Sequence, residues 1–328
     1  MIISRTPLRA SFFGGGSDLS GYYKNSARGY GAVLSTAIDM YIYITVNKKF
    51  DDQIRVSYSK TEIVDSVDQI EHNIIREALK IAGIEKGIEI VYMGDVPLGS
   101  AGIGLASSSA LAVGVLHALF AYQGKAVPAE FLAQKACEIE ISRLGNPIGK
   151  QDQYAVAYGG FHRYRFNADE SVFVDPVICC PESKKALQDN LLFFYTNMTH
   201  VSSHILSEQK ENIPRKTRNL DRMVEMSCEA ERLLQQNATD DFGALLDEAW
   251  KLKKELASGI SAPGIDEMYA AARKAGALGG KILGAGGGGF MMLYVPQNRQ
   301  QLVRDALSSY QERRIGFEPE GSKIIYVR

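Results

Sequence analysis

The sequence has a single tryptophan, only 4 cysteines and 5 histidines, and no excess of charge of either sign. Each shortage excludes something. With 37 lysines and arginines against 38 aspartates and glutamates the net charge is -1, so no global field draws nucleic acid or an anionic membrane to the chain. Any anion has to be bound locally. Cys137, Cys179, Cys180 and Cys228 form no CxxC pair, and the adjacent two cannot readily bridge to each other. That pattern predicts free thiols in a reducing, cytoplasmic compartment. No stretch approaches the roughly 20 apolar residues of a spanning helix. The opening MIISRTPLRASFFGGG reaches a proline and two arginines before any long apolar run, so neither leader nor anchor is expected. His200 and His204 have the spacing of a zinc pair, but no glutamate follows His200 and no third ligand stands out.

What is present suits two domains: 328 residues, 45% of them hydrophobic, against roughly 100 to 200 residues per domain. From Val33, the β-branched and aromatic run to Val46 reads as a strand, and so does GIEIVYMG from Gly87. NIIREALKIAG between them has helical spacing and stops at Gly83. A second helix is expected from about Ser108 to Tyr122, with serines at its N-cap, and a third from Pro128 to Gly145. The pattern turns irregular between residues 165 and 190, which places a division near 175/176. Beyond it come a buried strand in NLLFFYTN, two long helical patterns from Arg215 to Ser258 with Trp250 in the core, and a final alternation of helix, strand, helix and strand. The mixture predicts an α+β protein without internal repeats.

Four stretches carry candidate chemistry. In PLGSAGIGLASSSALAVG, from Pro97, no lysine follows the last glycine and Ser107 stands where a dinucleotide fingerprint needs glycine, so neither standard phosphate loop fits. Glycines still let the backbone approach an anion, and a helix N-terminus favours phosphate. A plain capped helix after a glycine turn is the alternative. RTPLRASFFGGGSDL, from Arg5, sets arginines beside a glycine triplet and Asp18, either as a ligand site or as a strand, a turn and a capping aspartate. EIEISRLGNPIGKQDQYA, from Glu138, offers Asp152 and one of Glu138 and Glu140, which cannot share a helical face. KILGAGGGGFMMLYV, from Lys281, matches G-x-G-x-x-G but leads into a strand, which argues against hydride transfer. Its glycines press against either a ligand or another backbone.

Taken together, the glycine-rich motifs resemble, in order along the chain, the three signature motifs of the GHMP kinases, the family of galactokinase, homoserine kinase and mevalonate kinase. SRTPLRASFFGGGSDL, GKQDQYA and GAGGGGF look most like the sugar-phosphate branch, with the L-fucose branch close behind. The resemblance implies an N-terminal ATP-binding domain like the second domain of ribosomal protein S5, residues 1–175, and a ferredoxin-like C-terminal domain, residues 176–328. It implies transfer from ATP to the anomeric hydroxyl of a sugar phosphate such as D-glycero-D-manno-heptose 7-phosphate, by a monomer or homodimer with no nucleic-acid or membrane partner. A sugar 1-kinase for L-fucose or galactose, or a sensor binding sugar and ATP without turnover, are the alternatives.

Residue by residue, Asp152 falls on the catalytic aspartate and Arg9 on the arginine beside the reacting hydroxyl. Asp18 falls on the aspartate that binds sugar hydroxyls, while Gly15 and Gly16 replace galactokinase's Glu-His, which makes room and removes an anion. Gly286 and Gly287 are expected at the sugar. Gly99, Ser100, Gly102, Gly104, Ser107, Ser108 and Ser109 are expected at ATP, and Ser108 with Glu140 at Mg2+. The loop is three residues longer than the usual PPGSGLGSSSA, with Ala106 where glycine is usual, so its serine end aligns and its glycine end does not. Arg28, Lys150, Arg163 and Arg165 are the candidates for a distal phosphate.

Overall fold

A 19-residue strand, Tyr30–Lys48, is the spine of the first of two sheets. Ile42, Ile44 and Val46 are buried while Tyr41, Tyr43 and Thr45 are half-buried, the alternation of a strand with one face on the core. Its length lets it pair with Ile88–Gly94 along one half and with Phe161–Asn167 along the other. On its opposite edge runs Ile2–Phe13, where a register shift falls between Pro7 and Leu8. A proline without an N–H is tolerated at such an irregularity. The computed structural model describes residues 1–96, 103–198 and 202–328. Gly99, Ser100, Gly102 and His200 therefore lie outside the described residues.

The helix Ser107–Tyr122 is apolar on all sides and buried from Ser109 to Leu116, packed on Ile2–Phe13 and Tyr30–Lys48. Its N-cap is Ala106, in the left-handed region at φ 67°, and among the described residues no side chain caps it. The serines expected as caps occupy the first helical positions instead. The single helix expected from Pro128 to Gly145 is an α-helix, Ala129–Cys137, that widens into a π-helix, Glu138–Arg143. Such a widening shifts which side chains face inward and is frequent at functional sites.

The second sheet holds Gln311–Arg313, Leu191–Tyr195, Phe290–Tyr294 and Gly279–Ile282, all antiparallel. In chain order its strands lie 4-1-3-2, the ferredoxin-like arrangement. Between its first two strands run three helices, Ser202–Gln235, Thr239–Lys254 and Pro263–Ala275. The first begins at Ser202, well before the expected Arg215; it continues through Pro214 and kinks at Lys216. Trp250 is buried.

The cut at 175/176 falls at the end of the strand Val172–Pro176, and the last strand, Lys323–Val327, crosses back to pair with the start of Ile2–Phe13. The architecture is α+β. Among the described residues no helix is long and apolar enough to cross a membrane.

Candidate active site

Between the two sheets opens a cleft of about 470 Å³ whose wall includes Arg9, Asp18, Ser108, Glu140, Asp152 and Lys253. Arg9 comes from the strand Ile2–Phe13, just past the register shift, and Asp152 from the first turn of the helix Gln151–Tyr158. The guanidinium binds the carboxylate in two parallel bonds, Nε to Oδ1 and Nη2 to Oδ2, both 2.8 Å. Its third face, Nη1, donates to the Gly104 carbonyl at 2.6 Å. A buried arginine is stable only with such complete pairing. One side chain thus fixes both the aspartate and the described end of the glycine-rich loop.

Asp18 lies beside them and is 3% exposed. Its oxygens accept from the Gly16 N–H at 3.0 Å, the Gln151 N–H at 3.1 Å and Gln151 Nε2 at 3.2 Å. Burial pushes its carboxyl above the usual range, against those backbone bonds and with the Asp152 charge adding to it. A Cβ at Gly149 would stand 2.0 Å from Asp18 Oδ2, which explains the glycine in GKQDQ.

Glu140 projects from the π-helix and is 1% exposed. Ser108 Oγ donates to its Oε1, while Ser109 Oγ at 2.7 Å and Gln153 Nε2 at 2.6 Å donate to Oε2. Desolvation raises its pKa, and among the described residues all its hydrogen-bond partners are neutral. A buried carboxylate with neutral partners alone is costly, so the position suits a cation. Both serine hydroxyls are engaged by Glu140, but Ser109 is buried whereas Ser108 is exposed to the cleft. Ser107, Ser108 and Ser109, the first residues of this helix, line the same space, and among the described residues no side chain caps its start.

The two glycine loops lock into each other. A Cβ at Gly104 would meet the Leu283 carbonyl oxygen at 2.2 Å, and one at Gly284 would meet Gly104 Cα at 2.6 Å. Beyond that contact, Gly286 packs on Ile260 and the Gly287 N–H donates to the Ile260 carbonyl at 2.9 Å. Gly284 and Ala285, not Gly286 and Gly287, line the cleft. Backbone crowding accounts for the glycines there.

Gly15 has open space around its missing Cβ, with only Gln151 Nε2 at 3.8 Å. Gly16 does not: a Cβ there would stand 2.1 Å from Gln209 Nε2, and its φ is +103°. The room expected beside Gly16 is filled by Gln209 of the helix Ser202–Gln235. The other basic candidates are engaged away from Asp152. Arg28 pairs with Glu225, Lys150 with Glu170, and Arg163 with Asp175 and Glu231, while Arg165 lies over Phe173. Lys150 lines a neighbouring cavity of about 490 Å³ that shares Asp18 with the cleft.

Beyond Gln151 and Gln153, which hold the carboxylates, the sequence did not reach Gln209 and Lys253 on the cleft wall or the buried Lys281 near them. Lys253 Nζ donates to Gln209 Oε1 at 3.1 Å, and Lys281 Nζ to the Phe12 carbonyl at 3.3 Å. Burial lowers the Lys253 ammonium to about 8 and that of Lys281, which also feels Lys253 and Arg9, to about 7. A signal was present. Gln209 sits between Ile205 and Ile213 on one helical stripe, and Lys253 follows Phe242, Leu246 and Trp250 on another. A polar residue on an apolar stripe marks a buried polar group.

Two family models match the chain, GHMP kinases N terminal domain over residues 70–160 and GHMP kinases C terminal over residues 230–313. The D-glycero-alpha-D-manno-heptose 7-phosphate kinase of Campylobacter jejuni is 30% identical, with 98% of each chain covered. The galactokinase of Pyrococcus furiosus is 24% identical over 85% of this chain and 87% of its own. Among solved structures, a D-glycero-D-manno-heptose 1-phosphate kinase from Bacteroides thetaiotaomicron superposes with a TM-score of 0.81 at 24% identity, covering 100% of both chains.

Proposed function

The chain belongs to the GHMP kinases, and from that premise we propose that it transfers the γ-phosphoryl of ATP to the anomeric hydroxyl of a sugar phosphate, D-glycero-D-manno-heptose 7-phosphate. The observation that carries the reading is the doubly bonded Arg9–Asp152 pair, on the same cleft as the uncapped start of Ser107–Tyr122 and the buried Glu140. Phosphoryl transfer depends on position and charge stabilisation, and these groups supply both.

Each Asp152 oxygen that accepts from Arg9 retains a further acceptor site, so the anomeric hydroxyl can still donate to it. Asp152 orients that hydroxyl and takes its proton as the bond to phosphorus forms. The ring oxygen makes this hydroxyl more acidic than others on a sugar, so a carboxylate suffices. Arg9 holds the aspartate in place and offsets the charge of the reacting phosphoryl. Asp18 accepts from sugar hydroxyls, and the helix start with Ser107 and Ser108 cradles the nucleotide phosphates. Glu140 and Ser108 are the groups that would hold magnesium, which when bound would offset the negative charge of the phosphates. Residues 1–175 serve as the nucleotide-bearing domain and 176–328 as the domain that closes over the acceptor.

An ADP-release screen with ATP and Mg2+ over hexoses, heptoses and their phosphates tests this, with the product's phosphorylation site read by NMR. Turnover of heptose 7-phosphate to the 1,7-bisphosphate is expected. Faster turnover of free L-fucose or galactose would move the assignment to a neutral sugar, and tight binding without ADP release would make the chain a sensor.

A further inference from the structure

Gln209 and Lys253 reach the cleft from two helices of the C-terminal half and are 2% and 4% exposed. An ammonium carries three donors and an amide nitrogen two. The single bond from Lys253 Nζ to Gln209 Oε1 uses one; among the described residues the other donors of Lys253 and both of Gln209 Nε2 have no partner. Buried donors left open cost stability, so such a cluster is retained where a ligand completes it. Among the described residues neither neighbouring carboxylate accepts a hydrogen bond from them: Asp152 accepts from Arg9, and Asp18 from Gly16 and Gln151. Lys281 and Arg9 add like charge nearby.

We propose that Lys253 and Gln209 form an acceptor-side subsite for a phosphate ester, which selects phosphorylated over neutral sugars. The position supports the acceptor side and not the nucleotide side. Gln209 Nε2 lies against Gly16, two residues from Asp18, and Asp18 is the carboxylate whose charge bears most on Lys253. Where a related sugar kinase carries a glutamate and a histidine on the loop, this chain brings an amide and an ammonium from the opposite wall. An acceptor-rich, anionic group satisfies both; a neutral hydroxyl leaves the charge unpaired. The proposal rests on the sugar-phosphate reading above and names the residues behind it.

The test measures binding by calorimetry without ATP, and kcat/KM with ATP, for D-glycero-D-manno-heptose 7-phosphate, mannose 6-phosphate and the two parent sugars. In the wild type each phosphate ester is expected to bind at least about tenfold more tightly than its parent. Lys253→Met is expected to weaken the esters about 30-fold and the parents less than threefold. Gln209→Glu keeps the side chain's shape and supplies Lys253 with an internal anion, so it should lose the same preference even if Lys253→Met folds poorly. Equal losses for ester and parent, or a wild type that prefers the parents, overturn the subsite. An ester preference that Lys253→Met abolishes, in a protein that releases no ADP, would keep the subsite and overturn the kinase reading.

Discussion

The two walls of the cleft differ in how their polar groups are finished. On the N-terminal wall Asp152 is closed by Arg9, Asp18 by Gly16 and Gln151, and Glu140 by Ser108, Ser109 and Gln153. On the C-terminal wall Lys253 makes one bond, and Gln209 Nε2 none among the described residues. Groups that must keep one geometry through a reaction gain from partners within the protein, because no reorganisation is then needed when charge develops. Groups that recognise a particular acceptor keep donors open for it. On the proposed reading, the reacting groups and the selection of a phosphorylated acceptor fall on opposite sides of the same space.

Substitutions on the finished wall should cost turnover first. Asp152→Asn is expected to lower kcat about 10³-fold while leaving the ATP dissociation constant near wild type, as steady-state rates and nucleotide titration would show. A loss within about threefold would correspond to under roughly 1 kcal/mol and remove Asp152 from the reaction. Arg9→Met leaves Asp152 without its partner and the Gly104 carbonyl without its donor. Because Asp152 is 27% exposed, the expected loss sits at the low end for a broken buried pair, about 3 kcal/mol in denaturant unfolding. Glu140→Gln should raise the Mg2+ concentration for half-maximal rate about tenfold, with little change in sugar KM.

The smallest effect belongs to a lysine buried near the open wall and has the opposite sign. Lys281 is held at about 7 in the folded protein, far below an ordinary lysine. Between that value and the unfolded pKa near 10.4, unfolding takes up a proton, so stability rises with pH across this window. Below about pH 7 the burden of burying the charge is present in full. Lys281→Met is therefore expected to stabilise the fold by about 1 kcal/mol at pH 6 and by progressively less toward pH 10, read from melting curves. Destabilisation at pH 6 would mean that the bond to the Phe12 carbonyl outweighs the desolvation of the ammonium.

This contrast also separates what could be read from the sequence from what could not. The strand Tyr30–Lys48 and the helix Asn73–Ala82 with its left-handed Gly83 are set by local periodicity and a stop signal. Arg9, Asp18, Glu140 and Asp152 stand in short motifs, and the structure brings all four to one cleft. The π-turn that aims Glu140 inward leaves no mark in the apolar pattern of EIEISR. The helical pattern is read only from Arg215, yet the helix begins at Ser202 and passes through Pro214. Gly286 and Gly287 were expected at the sugar, but a glycine pressed on a backbone and a glycine pressed on a ligand have the same sequence. Gln209 meets Gly16 from more than 190 residues away and carries Lys253 with it, which only the tertiary fold can arrange.

The central claim is that one protein joins an Arg9–Asp152 centre to a wall that favours phosphorylated acceptors. Its most direct test is ADP release from ATP and Mg2+ with D-glycero-D-manno-heptose 7-phosphate beside the unphosphorylated heptose, with the product examined by ³¹P NMR. The account predicts faster turnover of the phosphate ester and a new phosphate on C1. Equal or faster turnover of the neutral sugar, or a product phosphorylated at another carbon, would contradict it.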